Sequence, residues 1–212
     1  MALEVLMNAQ PDTFTPAEAA VIAGVSVRDV HRMIDEHILP DRLFDSQESR
    51  SFKSQACVFI SFYFGAADRL TAEERQRTIV LASKVADWSK TKTTVQDEFL
   101  TIDFASFSKG VEDRLERLRA ARDLVVADPE ILSGTSVIRG TRVPVYDVAA
   151  SVAAGISMER ILSSYPSLKR EQVELAALFA EANPQRGRPR QRELPANAVV
   201  VSKRRKMLTQ PA

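Results

Sequence analysis

Two helix-start signals eleven residues apart constrain the first part of the chain more than any other feature. Thr15-Pro16-Ala17-Glu18 is a capping box with proline at the first helical position, and Ser26-Val27-Arg28-Asp29 is a second cap. Gly24 lies between them, and Pro40 follows the second segment. Because glycine often ends a helix and proline cannot continue one, the pattern predicts two short helices joined by a tight turn. This is the arrangement of a helix-turn-helix.

The second predicted helix, which runs to about His37, has two different faces. The apolar face carries Val27, Val30 and Ile34, and the basic face carries Arg28, His31 and Arg32. In a helix-turn-helix the basic face would enter the major groove of DNA, where arginine can bind guanine. The spacing leaves one alternative open, a plain helical hairpin with a solvated basic face.

The next segment predicts a wing beside this helix. Residues 41 to 52, DRLFDSQESRSF, read as two short strands around a polar turn, from which Arg50 would reach a phosphate. With it, AAVIAGVSVRDVHRMIDEHILP resembles the winged-helix DNA-binding domains of the MerR and excisionase type, over roughly residues 13 to 85. The resemblance implies a DNA-reading domain. Its predicted DNA-binding residues are Arg28, His31, Arg32 and Arg50.

The middle of the chain shows structural patterns only. Its most apolar window, residues 56 to 67, has about a dozen residues, fewer than the roughly 20 that cross a membrane, so it predicts a core helix or strand. Thr71-Ala72-Glu73-Glu74 caps a further helix, predicted to include Trp88 near its end. Residues 99 to 104 alternate like a half-buried strand. Val111, Leu115 and Leu118 then repeat at helical spacing, so residues 96 to 127 predict a linking strand and helix.

The stretch SGTSVIRGTRVPVYD, residues 133 to 147, could cradle a phosphate or form a hairpin. A Walker-type loop ends in Gly-Lys-Ser/Thr, and this stretch has no lysine. Alternation over residues 137 to 143 favours a tight hairpin with Gly140 at a positive φ. Three helices are predicted to follow, from Tyr146 to Ala154, from Ser157 to Ser164 and from Leu168 to Ala182. The third would turn inward Val173, Leu175, Ala176, Leu178 and Phe179.

Residues 128 to 183 resemble a small antitoxin-type family that was long known only as a domain of unknown function. The resemblance rests on a Gly-Thr-Arg-Val-Pro-Val hairpin, a Gly-x-Ser step and a Tyr-Pro break, with Ser136 in place of the usual proline. It implies a trihelical domain of a VapB-like antitoxin that neutralises a PIN-like ribonuclease toxin. Arg139 and Arg142 could contact a partner or lie on a solvated hairpin edge. The structural motif residues are Gly134, Gly140, Thr141, Arg142 and Pro144.

The C-terminal segment is strongly basic. Residues 184 to 212 contain eight Lys or Arg and one acid, 8 − 1 = +7, so the rest of the chain carries 1 − 7 = −6. With prolines and no aromatic residue, this tail predicts an arm that is disordered when free. Arginines could pair with the metal-binding carboxylates of a PIN-like toxin, and the valines could add a strand to its sheet. The predicted toxin-binding residues are Arg188, Arg190, Val199, Val200, Val201, Lys203, Arg204 and Arg205.

Two other uses of this tail stay open. The core Arg-Gly-Arg-Pro-Arg, residues 186 to 190, is typical of an AT-hook that binds the narrow minor groove of A·T-rich DNA. A basic tail can also serve only to solubilise the chain.

Composition argues against several other function classes. The single Cys57 allows no internal disulfide, and the N-terminal residues do not predict a signal peptide, so we expect a cytoplasmic protein with no membrane partner. His31 and His37 lie six residues apart, which is not one-face metal spacing on a helix. No nucleophile motif is evident. We therefore expect no enzymatic activity, no cofactor and no metal.

The complete prediction is a mostly α chain with short β-hairpins. A winged helix-turn-helix domain (residues 1 to 95) is followed by a linking strand and helix (96 to 127). An antitoxin-type trihelical domain (128 to 183) and a basic disordered tail (184 to 212) complete it. We expect a homodimer that binds a PIN-like ribonuclease toxin and its own operator DNA. The alternative is a stand-alone transcription regulator with an AT-hook-like tail.

Overall fold

The computed structural model of the protein describes residues 13–45, 50–84, 94–97 and 100–185. Within these ranges the chain is mostly helical, and its strands are short and paired antiparallel. No helix among the described residues is both long enough and apolar enough to span a bilayer.

The N-terminal part combines four helices with a small sheet. Strand β1 (Thr13–Phe14) precedes helices α1 (Pro16–Ala23) and α2 (Val27–Asp35). A 3-10 helix (Asp41–Leu43) leads to β2 (Phe44–Asp45) and β3 (Ser51–Lys53), followed by α3 (Ser54–Gly65) and α4 (Ala72–Ser83). The strand order is β1-β3-β2. The predicted strand pair after α2 is therefore confirmed, with β1 as an additional, unpredicted neighbour.

Local capping explains where α1, α2 and α4 begin. The Thr15, Ser26 and Thr71 side chains each accept a hydrogen bond from the amide three residues later, and each forms a full capping box. Helix α1 ends at Gly24, whose φ of 74° is left-handed. The predicted starts of these helices are therefore confirmed.

Two predicted details of these helices differ from the structure. Helix α2 ends at Asp35, before His37, because the chain turns there to bury Ile38 and Leu39, whose amides both donate to the Met33 carbonyl. The face of α2 that packs inward uses Met33 where we expected Val27, which is 37% exposed in the first turn. Helix α4 ends at Ser83, and Trp88 lies outside the described residues.

The central part contains a two-stranded sheet and the longest described helix. Strands β4 (Thr94–Asp97) and β5 (Leu100–Asp103) pair antiparallel, with Val95 opposite Ile102. Helix α5 (Ala105–Leu124) follows and buries Val111, Leu115 and Leu118, as predicted from their spacing. Strand β4 was not predicted.

The C-terminal part consists of a two-stranded sheet and three helices. Strand β6 (Val125–Ala127) pairs antiparallel with β7 (Ser136–Ile138), and a 3-10 helix (Leu132–Gly134) lies between them. Helices α6 (Val145–Ala153), α7 (Met158–Ser164) and α8 (Arg170–Ala182) follow, close to the predicted bounds. Val173 and Ala176 of α8 are buried, whereas Leu175, Leu178 and Phe179 are half-buried.

The predicted hairpin over residues 137 to 143 is only partly right. Gly140 has a φ of 75° at the turn, and the Ile138 amide donates to the Val143 carbonyl. The second arm, however, makes a single bridge from Pro144 to Val137, and the ladder partner of β7 is β6. Strand β7 therefore pairs with β6 along one edge, and its other edge carries only this short contact, because Pro144 has no amide hydrogen to extend a second ladder.

Helix α8 joins two hydrophobic cores. The first core is built mainly from α1 to α5, and it includes the buried Ala182 and contacts Leu178. The second core lies between β7 and helices α6, α7 and α8 and includes Val145, Ile161 and Val173. One helix near the C-terminal end therefore packs on both halves of the chain, and the predicted domain boundaries stay a prediction.

Candidate nucleic-acid interface

The exposed face of α2 is built by amphipathic packing. Val30 and Met33 are fully buried against the first core, which turns the intervening side chains outward. Arg28 and Arg32 are exposed, and His31 is half-buried. These three side chains line one shallow groove along the outer surface of the helix. The structure thus places the three predicted residues of α2 together.

Arg50, the predicted wing residue, lies against this same face. Its guanidinium contacts Nδ1 of His31 at 3.1 Å and donates to the Asp35 carboxylate at 3.4 Å. For the first contact to be a hydrogen bond, Nδ1 of His31 must be the unprotonated, accepting nitrogen. The residue that immediately precedes β3 therefore adds its positive charge to the α2 face. All four predicted DNA-binding residues form one surface, which we call the α2 face.

The α2 face is not strongly basic. Arg28, Arg32 and Arg50 carry three positive charges, and Asp29, Asp35 and Glu36 on the helix carry three negative charges, 3 − 3 = 0. Two of the arginines are paired, since Arg32 binds Glu36 at 2.9 Å and Arg50 binds Asp35. The Glu36 hydrogen bond raises the pKa of Arg32 above its ordinary value. Within the described residues, Arg28 has no such partner.

These ion pairs are weak enough to be exchanged for a ligand. The Arg32 and Glu36 side chains are each 52% exposed, and exposed ion pairs contribute only about 0.2–1 kcal/mol. An arginine of the α2 face can therefore leave its carboxylate for a phosphate or a base edge at small cost. A neutral face would add little to the salt-dependent attraction between protein and DNA, so binding here would depend on specific contacts.

Two arginines of α5 fix the position of α1 and thereby of the turn to α2. Arg114 donates to the carbonyls of Ile22 and Ala23, at 2.6 and 3.2 Å, which are free at the C-terminal end of α1. Arg122 binds the buried Glu18 carboxylate at 2.7 Å. Sequence reasoning missed both roles, because arginines on a long amphipathic helix look like a solvated face. No local signal distinguishes them.

The predicted structural motif forms the turn between β7 and α6. The Thr141 hydroxyl donates to the Ile138 carbonyl and accepts from the Val143 amide. Pro144 is the N-cap residue of α6, and Gly134 has a left-handed φ of 81°. Arg142 is exposed at this turn. These contacts organise the backbone.

The neighbouring Arg139 ties this turn to α5. Its side chain donates to the Asp123 carbonyl at 2.8 Å and its amide to the Leu124 carbonyl, so it caps the C-terminal end of α5. A cation is favourable at that end of a helix. Of the two uses that the sequence left open for Arg139, the observed contact is a structural one.

Comparison with known proteins assigns the chain to a family. It is 49% identical over 213 residues to "Uncharacterized protein y4eO" of Sinorhizobium fredii (strain NBRC 101917 / NGR234). The alignment covers 96% of both chains. The chain belongs to the y4eO family. Because the alignment covers nearly the whole chain, the similarity to y4eO extends over both hydrophobic cores.

Within this y4eO-family chain, one region also matches a shorter family. Residues 125–180 match "Protein of unknown function (DUF433)", from strand β6 to near the end of α8. The match includes β6, the ladder partner of β7 that the sequence did not reveal. No solved structure matches the chain.

The predicted toxin-binding residues, from Arg188 to Arg205, lie outside the described residues. Within the described part, no group of three or more His, Cys, Asp or Glu side chains is placed to hold a metal ion. Cys57 is fully buried in α3, and its burial raises the pKa of the thiol to about 12. A thiol in this environment is a poor nucleophile.

Proposed function

We propose that this protein is the antitoxin of a type II toxin-antitoxin system. It neutralises a PIN-like ribonuclease toxin and represses its own operon by binding operator DNA. The antitoxin assignment is supported by the resemblance of residues 128 to 183 to VapB-like antitoxins. The motif that carries this resemblance has a consistent backbone role, since Gly140 and Thr141 shape the turn that leads into α6.

Residues 1 to 95 are proposed to be a winged helix-turn-helix domain with α2 as the recognition helix. The observation that carries this proposal is the contact of Arg50 with His31 and Asp35, which joins the β2–β3 strand pair to the exposed face of α2. In a winged domain the helix enters the major groove while a strand residue reaches the backbone. Arg28 is the leading candidate for a base contact, because it has no partner to leave within the described residues.

Neutralisation is assigned to the basic tail. A PIN-like ribonuclease holds a divalent metal in a cluster of carboxylates, and the metal activates water for phosphodiester cleavage. Arg188, Arg190, Arg204 and Arg205 would pair with these carboxylates and displace the metal. Val199 to Val201 would add a strand to the edge of the toxin sheet.

A homodimer is proposed because a helix-turn-helix protein commonly reads a palindromic operator with two copies of its recognition helix. Two copies of a helix-turn-helix, related by a twofold axis, read two half-sites of a palindrome about one helical turn apart. An operator without such symmetry would contradict the dimeric arrangement.

The neutralising activity is tested by co-purification with the untagged product of the adjacent gene. We expect a stable complex in which RNA cleavage is suppressed, and we expect a chain ending at Gln185 to lose suppression. Full suppression by the shortened chain would refute the role of the tail. The absence of any complex would refute the antitoxin assignment.

DNA reading is tested by single substitutions in the α2 face. Arg28→Ala and Arg32→Ala should each weaken specific operator binding by about 1–3 kcal/mol, the value of a lost base contact. Arg160→Ala is the matched control, because Arg160 is an exposed arginine on α7. Binding is measured at fixed salt by fluorescence anisotropy with operator and scrambled duplexes. If both Arg28→Ala and Arg32→Ala bound the operator as tightly as Arg160→Ala, α2 would not be the reader.

A second candidate function is a stand-alone transcription regulator whose tail binds A·T-rich DNA. The sequence Arg-Gly-Arg-Pro-Arg at residues 186 to 190 specifically favours it. In that case the tail, not the α2 face, would dominate binding to A·T-rich duplexes, and the affinity would fall steeply with salt. Loss of this binding on truncation at Gln185, together with no toxin partner, would establish the regulator.

A further inference from the structure

A groove between α6 and α8 stands apart from the α2 face. Tyr146, Ala149, Ala150 and Ala153 lie along one side of α6, at the spacing of one helical face. The side chains of Ala177, Ala180 and Glu181 line the groove from α8. Its volume is about 540 Å³, and Ala150 and Ala153 are exposed.

The chain leaves α8 directly beside this groove. The Tyr146 hydroxyl donates to the Asn183 carbonyl at 2.9 Å, which fixes the backbone just after α8. Gln185, the last described residue of the chain, lines the groove itself. The basic tail, residues 186 to 212, therefore continues from the rim of an exposed alanine-lined surface.

We propose that this groove is the docking site of the chain's own segment Ala198-Val199-Val200-Val201. It is the most apolar run of the tail, and four extended residues span about 13 Å. The alanine face from Tyr146 to Ala153 covers seven steps of helix, about 10 Å. Small alanine side chains leave room for branched valines to pack between the two helices.

Chain length allows this contact. Gln185 and Ala198 are 13 positions apart, which reaches at most about 45 Å when extended. In general, short flexible linkers give an effective concentration of the order of millimolar. An apolar contact whose dissociation constant lies below this effective concentration is therefore largely occupied within one chain. The same contact between separate chains at lower concentration is not.

Charge also favours the tail as the occupant. Of the charged residues on α6 and α8, Glu181 lines the groove, Asp147 is exposed on α6, and Glu174 is already paired with Arg117 of α5. The tail carries seven net positive charges, including Lys203 to Lys206, which follow the valines after Ser202. The basic run is therefore attracted to the helix pair that would hold the valines.

The valines would then be held in the groove before any partner binds, which replaces, for residues 198 to 201 alone, the disorder predicted for the free tail. The segment is the same one that is proposed to add to the toxin's sheet, but the docking itself requires neither toxin nor DNA. Toxin capture would then compete with the groove for the valines. A docked segment is also shielded from proteases until a partner withdraws it.

The contact is tested in the full-length chain by disulfide trapping. Ala153→Cys is combined with Val199→Cys or Val200→Cys, since neighbouring residues of an extended segment point to opposite sides. A bridge requires the two Cα atoms to come within about 7 Å. The native Cys57 does not compete, because it is fully buried and its thiol pKa is about 12.

We expect one of these pairs to form a disulfide within the monomer about tenfold or more faster than a control pair. The control replaces Ala153→Cys by Ala120→Cys, at an exposed alanine of α5 away from the groove. Equal rates for both Ala153 pairs and their controls would overturn the proposal. Disulfides found only between two chains would also overturn it and would assign the groove to a second copy.

A second measurement uses elastase, which cleaves after small aliphatic residues such as those of the valine segment. Ala150→Lys fills the groove and repels the basic tail, so cleavage near Val200 should be several-fold faster than in the unmodified chain. Ala120→Lys adds the same side chain to an exposed helix position outside the groove and should leave the rate unchanged. An unchanged rate in Ala150→Lys would contradict docking. Neither negative result would bear on toxin neutralisation.

Discussion

The ion pair between Glu18 and Arg122 leads to a strong prediction about stability. Only 8% of the Glu18 side chain is exposed, and its carboxylate accepts from Arg122 at 2.7 Å and from the Thr15 amide at 3.0 Å. Arg122→Ala would leave a buried carboxylate with the amide alone. Breaking a buried pair from one side costs about 3–5 kcal/mol. Because 39% of the Arg122 side chain is exposed, we expect a loss near the lower end, about 3 kcal/mol.

Removing the acid instead should be less damaging. Glu18→Gln eliminates the buried charge and keeps an oxygen for the Thr15 amide, while Arg122 can turn to solvent. The expected loss is about 1 kcal/mol, the value of one hydrogen bond. The double variant, which combines Glu18→Gln with Arg122→Ala, should be more stable than Arg122→Ala alone, because it no longer buries an unpaired charge. Single-variant losses will therefore not add.

Arg117→Ala is the matched control on the same helix. Arg117 contacts Glu174 at 3.7 Å, and the two side chains are 62% and 44% exposed, so the expected loss is at most about 1 kcal/mol. Urea unfolding followed by far-ultraviolet circular dichroism gives the free energy of unfolding of the unmodified chain and of each of the four variants. If Glu18→Gln destabilised the protein as much as Arg122→Ala, or if the losses added, burial of an unpaired carboxylate would not be the cause.

Two other perturbations test the turn after α1 and the start of α4. Gly24→Ala should cost about 1–2 kcal/mol for the left-handed φ and more for crowding, since its Cβ would lie 3.2 Å from Cζ of Arg114. Gly140 has a similar φ, but a Cβ added there would have no atom within 4 Å, so we expect Gly140→Ala to lower the urea midpoint less than Gly24→Ala does. A shift for Gly140→Ala as large as that for Gly24→Ala, or larger, would refute the crowding. Hydrogen bonds from the Thr71 hydroxyl and amide hold the pKa of Glu74 below its ordinary 4.5. The stabilisation by Glu74 is therefore fully present above pH 4.5 and is lost as the pH falls further. In Glu74→Gln the melting temperature should fall less steeply as the pH is lowered below 4.5. An unchanged dependence of the melting temperature on pH in this range would count against the cap.

The helix boundaries were the most predictable part of the fold. A cap acts within three or four residues, so Thr15, Ser26, Thr71 and Ser157 could be identified from their neighbours, and each begins a helix. Pairing between distant segments left no such signal. Strand β6 looked like part of a linker because its partner β7 begins only after the 3-10 helix that follows β6.

The α2 face was predictable for a similar reason. Arg28, His31 and Arg32 share one helix face by their spacing alone, and the strand pair that brings Arg50 beside them has a local turn pattern. The supporting arginines were not predictable. Arg114 and Arg122 act on α1, about ninety and one hundred residues earlier in the chain, and helical periodicity contains no information about such partners.

The position of α8 has a consequence for the order of biosynthesis. The first core contains side chains of α1, near residue 20, and Ala182 of α8, so its last member is synthesised about 160 residues after its first. At roughly 5–20 residues per second, the ribosome needs of the order of 10–30 s to supply that member. During this interval α1 can pack on α2, α3 and α5 but lacks its contact with α8. We therefore expect the α2 face to reach its final stability only when translation of the chain is almost finished.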